Sequence, residues 1–159
     1  FEPRDAIDLL HAFGRGLPPS SRLVVGVDLK KDARTLVRAY NDSKGVTAAF
    51  NLNLLRRINR ELGADFDLGR FRHVALYVPR FGRIEMHLES TALQEVRLLG
   101  RRFRFAAGES IHTENSHKFT IAEFQGLAVA AGWQTGGVWI DERGLFSVHE
   151  LRNFDASSM

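Results

Sequence analysis

The chain has 159 residues, 44% hydrophobic and 26% charged, which suits one compact core or two small subdomains and excludes a large multidomain enzyme. With no cysteine, disulfides, thiolate nucleophiles and thiolate metal sites are excluded, which favours a cytoplasmic protein. Lys+Arg 22 against Asp+Glu 19 leaves a net charge of +3, a balance that serves solubility before nucleic acid; no apolar run reaches the roughly 18 residues of a membrane span, and Phe1 opens no leader pattern.

In chain order, residues 4–14 carry a helical pattern through Ile7, Leu9 and Leu10, stopped by Gly14, Gly16, Pro18 and Pro19. Residues 23–29 are an almost continuous β-branched run, the kind found in a strand buried on both faces of a parallel sheet. Lys30, Lys31 and Asp32 open a helix to Ala39 or Tyr40, closed by Asn41, Asp42 and Ser43. From Val46, the ladder Val46, Phe50, Leu54, Ile58 and Leu62, reinforced by Ala49 and Leu55, predicts a helix ended by Gly63.

Strands are predicted at 71–78, 83–90, 94–99 and 101–105, punctuated by Pro79 to Gly82 and by Thr91 and Ala92. In the strict alternation of 83–89, Ile84, Met86 and Leu88 share an interior face, with Glu85, His87 and Glu89 opposite. Residues 108–118 read as a polar loop between a strand and a helix, where binding residues often sit. A helix at 119–131, strands at 133–140 and 145–151 joined by Asp141 to Gly144, and a frayed tail complete the chain. The flanks, 1–40 and 119–159, thus read as pieces of a parallel α/β sheet around a block at 41–118 with antiparallel signals. That sheet is incomplete: strand 23–29 would present an open edge, through which the chain is expected to self-associate.

Little of the polar inventory spells a motif. His112, Glu114 and His117 lack the His-Glu-x-x-His spacing of a zinc helix, and two exposed histidines are the ordinary reading, so no metal site is expected. Glu85, His87 and Glu89 could make an acid/base or metal surface, against the simpler reading of a solvated strand face. Arg97, Arg101, Arg102 and Arg104 interleave with Phe103 and Phe105 like a single-strand nucleic-acid platform, but phenylalanines facing a core explain the pattern more simply. There is no phosphate loop, nucleophile elbow or dinucleotide fingerprint, so no catalytic or cofactor-binding residue is assigned.

The segments Val25 to Asp32, Ala39 to Asp42, Gly45 to Leu55, Asn59 to Gly63, Ile84 to Leu88, Phe105 to Glu109 and Thr113 to Ser116 resemble, in order and spacing, the histidine-specific S-adenosylmethionine-dependent methyltransferases. That family includes the enzyme that methylates the α-amine of L-histidine for ergothioneine biosynthesis. The resemblance implies an α/β fold, a partial Rossmann-like methyltransferase sheet with an inserted α+β substrate-binding subdomain. It also implies that this is the C-terminal half, the cofactor motif lying upstream, so that the chain alone is inactive. Carried over by position, Tyr40 matches the residue that binds the amino acid's carboxylate, Thr47 and Phe50 match pocket positions, and Met86 packs beside the imidazole. Glu114 and Ser116 match the pair that reads the imidazole nitrogens. The expected reaction is in-line attack of an uncharged amine on the sulfonium methyl, driven by positioning and desolvation, without metal or covalent intermediate. A relative acting on an indole amino acid, or a small nucleic-acid-binding module, are the alternatives.

Overall fold

The computed structural model describes residues 2–153; the frayed tail lies outside them. In order they form α1 (Pro3–Gly16), β1 (Arg22–Asp28), α2 (Ala33–Tyr40), α3 (Val46–Leu62), β2 (Phe71–Val78), β3 (Arg83–Ser90), β4 (Gln94–Leu98), β5 (Arg101–Phe105), β6 (Ser110–His117), α4 (Ile121–Ala130), β7 (Trp133–Ile140) and β8 (Phe146–Asn153). Two compact units result: one takes the chain up to residue 31, residues 79–83 and everything from 116 onward, and the other takes 32–78 and 84–115. The division expected at residues 40 and 118 therefore moves. Leu36 of α2 is buried with Ala75, Ile84 and Met86, and this burial ties α2 to the inserted unit.

In the first unit the strand order is β1-β8-β7. Strand β8 is antiparallel to both neighbours, so β1 and β7 run parallel to each other without touching. This corrects the expectation of a parallel pairing for residues 23–29. The strand is also covered on one face only: Val27 is buried, with Leu23 and Val25 packed beside it against Phe124, Ala128 and Leu151, while Val24 on the other face is 66% exposed. Helix α4 starts on a capping box, in which the Thr120 hydroxyl accepts from the Glu123 amide and the Glu123 carboxylate accepts from the Thr120 amide. Helix α1 is held by the Trp133 indole, which donates to the Leu10 carbonyl at 2.8 Å.

Two titratable groups are buried in this unit. The Lys118 side chain, 1% exposed, pairs with Asp28 at 2.7 Å, and Lys31 contacts the same carboxylate. Burial alone would raise the Asp28 pKa; the hydrogen bonds and charges of Lys118 and Lys31 outweigh it and hold the carboxyl below its ordinary range. His149, 1% exposed, lies 4.7 Å ring to ring from Phe124. Its Nε2 is 2.9 Å from the Ser147 hydroxyl, and burial lowers its pKa.

The second unit has two cores. In one, Leu55 of α3 meets Phe66, Phe71, Leu88 and Val96; the other is the Leu36 cluster. The α3 bounds match the sequence pattern, and of its apolar positions Leu55 and Ile58 join the core while most of the ladder does not. Val46, Phe50, Leu54 and Leu62 are exposed, whereas Leu55 and Asn51 are buried. Asn59 closes the turn after α3, donating to the Phe66 carbonyl and accepting from the Phe66 amide, both at 2.8 Å. Asn41, just past α2, does the same for β2: it donates to the Ala75 carbonyl at 2.9 Å and accepts from the Ala75 amide at 3.2 Å.

Strands β2, β3 and β6 form a sheet in that order. Residues 110–117 are thus an edge strand and not the expected loop. In the β4–β5 hairpin, Phe105 packs on Phe71 at 5.5 Å and near Phe66, so this ring belongs to the core and is no stacking platform; Phe103 is 43% exposed. Among the described residues no helix is long and apolar enough to cross a membrane.

Two expectations follow. His149 stays neutral when buried, whereas the unfolded chain protonates it near pH 6.5, so its contribution to stability is present above that pH and is lost as pH falls below it. The melting temperature should drop between pH 7 and pH 5 and drop less in His149→Leu; equal slopes would contradict the assignment. Asn41→Ala should cost about 1–3 kcal/mol in urea unfolding, because two β2 backbone groups lose their partner.

Candidate functional site

The second unit brings the matched residues into two groups. Tyr40, at the C-terminal end of α2, packs against the cluster that contains Met86, whose side chain is 3% exposed. Phe50 and Glu114 meet elsewhere, lining a groove of about 210 Å³ with Leu54 and Arg57 of α3 and Thr113 of β6. Of the two residues on apolar periodic positions, Met86 is therefore core, and Phe50, 65% exposed, stands at an open groove. Strand alternation accounts for the separation. Met86 faces the interior with Ile84 and Leu88, while on β6 Ile111 packs into the Leu55 core and His112 and Glu114, of the opposite alternation, are exposed.

The Tyr40 end of α2 is fixed by a relay. The Tyr40 carbonyl lies 2.8 Å from His73 Nε2, and His73 Nδ1 lies 3.0 Å from the amide nitrogen of Asn51. Because that nitrogen can only donate, Nδ1 accepts and the proton sits on Nε2, so His73 is a neutral imidazole donating to Tyr40. The same Asn51 nitrogen donates to the His87 carbonyl at 3.1 Å, which ties α3 to β3. Asn51, His73 and Asn41 are supports that sequence reasoning missed. Each is a polar residue whose partner lies far away in the chain and becomes visible only once the strands are paired.

Thr47 lies in the first turn of α3. The Val46 and Thr47 amides each donate to the Asp42 carboxylate at 2.9 Å, and these bonds, led by that of Thr47, hold the Asp42 pKa down to about 2. Thr47 thus takes part in the cap that starts the helix. Ser116 sits two residues past Glu114 on β6, in the part of the strand that belongs to the first unit; its hydroxyl accepts from the buried Lys118 ammonium at 2.8 Å. Thr113 donates its hydroxyl to the Met86 carbonyl at 2.9 Å and fastens β6 to β3 beside Glu114.

Glu85 and His87 are not on a solvated face. Their side chains are 15% and 16% exposed and lie 3.2 Å apart, and the His87 ring stacks on His112 at 4.6 Å and 17°. Glu89, on the same face, pairs instead with Arg72 at 2.6 Å. Pairing of β3 with β6 thus assembles a Glu85, His87 and His112 cluster from what the sequence offers as two separate groups.

The chain was compared with known proteins. The family described as histidine-specific, SAM-dependent methyltransferase matches residues 1–153. The chain is 43% identical over 148 residues to the histidine N-alpha-methyltransferase of Mycolicibacterium smegmatis, covering 92% of this chain and 46% of that protein. It is 30% identical to ergothioneine biosynthesis protein 1 of Neurospora crassa, covering 87% of this chain and 16% of that protein. It is 29% identical to an L-tryptophan methyltransferase of Psilocybe serbica, covering 89% and 41%. The chain spans less than half the length of each of these relatives. With the family match running through every described element, the chain belongs to the histidine-specific, SAM-dependent methyltransferases.

Proposed function

We propose that this chain is the C-terminal, amino-acid-binding portion of an S-adenosylmethionine-dependent L-histidine Nα-methyltransferase. The observation that carries the reading is the groove in which the exposed Phe50 ring and Glu114 meet. At about 210 Å³ it is below the roughly 300–1,000 Å³ of sites for drug-sized ligands and suits a single amino-acid ring. A carboxylate there accepts the N–H of a neutral imidazole, and a phenyl face packs on the ring. Tyr40, held by His73, is the partner for the amino acid's carboxylate; Thr47 and Met86 are support, one through the cap of α3 and one through the core behind Tyr40. The relatives named for histidine methylation and for ergothioneine biosynthesis support the substrate.

Neither strand-to-helix turn, 29–32 after β1 or 118–120 after β6, contains a glycine, and Lys30 and Lys31 are engaged with Glu123 and Asp28. In this reading the cofactor is held by the portion of the relatives that this chain does not span. The chain's own part is to bind histidine and to orient its α-amine away from water.

The test is methyl transfer from labelled cofactor to a panel of amino acids, by this chain and by a longer protein that also carries the preceding portion. Labelling of histidine by the longer protein alone is expected. Turnover by this chain alone would overturn the division of labour, and labelling of tryptophan in place of histidine would overturn the imidazole reading. In the longer protein Glu114→Gln should lower kcat/KM for histidine by about tenfold to a hundredfold, the range of one hydrogen bond to a charged group. Phe50→Ala should raise KM while changing folding stability by less than about 0.5 kcal/mol, since the ring is exposed.

A further inference from the structure

We propose that Glu85, His87 and His112 form a site for a borderline divalent cation, with Zn²⁺ as its natural class, on the β3 and β6 strands of the second unit. One ligand atom from each residue lies within 4.8 Å of the others. The donor set is two imidazoles and one carboxylate, the three-ligand combination that zinc accepts while keeping a fourth position open. Magnesium and calcium favour sets richer in oxygen and fit it poorly.

The surroundings orient the donors. His112 Nε2 lies 2.8 Å from Asn115 Oδ1 and 3.2 Å from the Glu114 carbonyl, both acceptors, so this nitrogen carries the proton and Nδ1 presents its lone pair. Holding the far nitrogen of a ligating histidine by an amide or carbonyl oxygen is the usual outer support of such sites. His87 is turned the other way: its Nε2 is 3.2 Å from Glu85 Oε2, and its Nδ1 lies 3.4 Å from the Ser110 hydroxyl. The two rings stack at 4.6 Å and 17°, so their in-plane lone pairs converge on one cation once His112 leaves the stack.

Access and adjustment are both provided for. Glu85 and His87 are half-buried, where a cation is less screened, and His112 is exposed and opens the site to solvent. Zinc with bonds of about 2.0–2.1 Å needs its donors about 3.3 Å apart, so the cluster must contract. Rotation of the exposed His112 about its own side-chain bonds supplies that movement. The site draws two ligands from β3 and one from β6, so the cation would clip the edge strand at the residue two before Glu114. This inference goes beyond the amino-acid-binding reading and stands apart from it.

The test is calorimetric titration of the chelator-treated 159-residue chain with Zn²⁺, and optical titration with Co²⁺, both without histidine because the free amino acid chelates. One equivalent should bind, with the visible absorption of four-coordinate Co²⁺. Affinity should fall by at least about tenfold in His87→Ala, in Glu85→Gln and in the exposed-site variant His112→Ala, and should be unchanged in His11→Ala. The melting temperature of each metal-free variant confirms that the chain is folded. Absence of stoichiometric binding, or binding undiminished in folded His112→Ala, would overturn the site.

Discussion

Placement of β6 beside β3 is the constraint on which the chemistry of this chain rests. Along one extended strand, successive residues are sent to different duties. Ile111 enters the core under α3, and Thr113 bonds the β3 backbone; Glu114 lines the groove with Phe50, and His112 stacks on His87. A one-residue slip of that pairing would exchange the two sets and put carboxylate and imidazole against Leu88. The core therefore enforces the register, and through the register it positions the polar groups.

Several polar side chains in this fold are matched by a specific partner that joins two elements. Lys118 is compensated by Asp28, and Ser116 takes one of its ammonium protons. Asn41 and Asn59 each satisfy both backbone groups of a single residue, at Ala75 and Phe66. Asn51, 3% exposed, spends its amide on His73 and on the β3 backbone. Leaving such a group unmatched costs more than the bond itself contributes, so these contacts select one arrangement of helix against sheet.

Much of this organisation was legible in the sequence because it depends on local signals. The bounds of α3 followed from periodicity and from Gly63, and the alternation on β3 gave its interior face. What escaped depended on partners distant in the chain. Residues 110–117 hold a single strongly apolar side chain, so nothing local marks them as extended; they are a strand because β3 offers them an edge. Residues 23–29 looked buried on both sides because Leu23, Val24, Val25, Val27 and Leu29 fill every position but Gly26 and Asp28, whereas only one face finds cover among the described residues. On helix α3 the periodicity named Leu55 and Ile58, which join the core, together with Val46, Phe50, Leu54 and Leu62, which stay exposed. At the site, Glu114 and Phe50 came from resemblance, but the meeting of His87 with His112 required the sheet.

The strand order of the first unit has a consequence for how the chain acquires its structure. Strand β1 pairs with β8, with Val27 opposite Ser147, 120 residues further on. The second unit draws on nearly contiguous sequence, from residue 32 to residue 115 with one short excursion. Loop-closure entropy favours the shorter separations, so the inserted unit can collapse while the strand that flanks it still waits for its neighbour. During synthesis β1 stays without β8 beside it until the last described residues have left the ribosome, so its Val-rich strand is a segment that needs protection in the meantime.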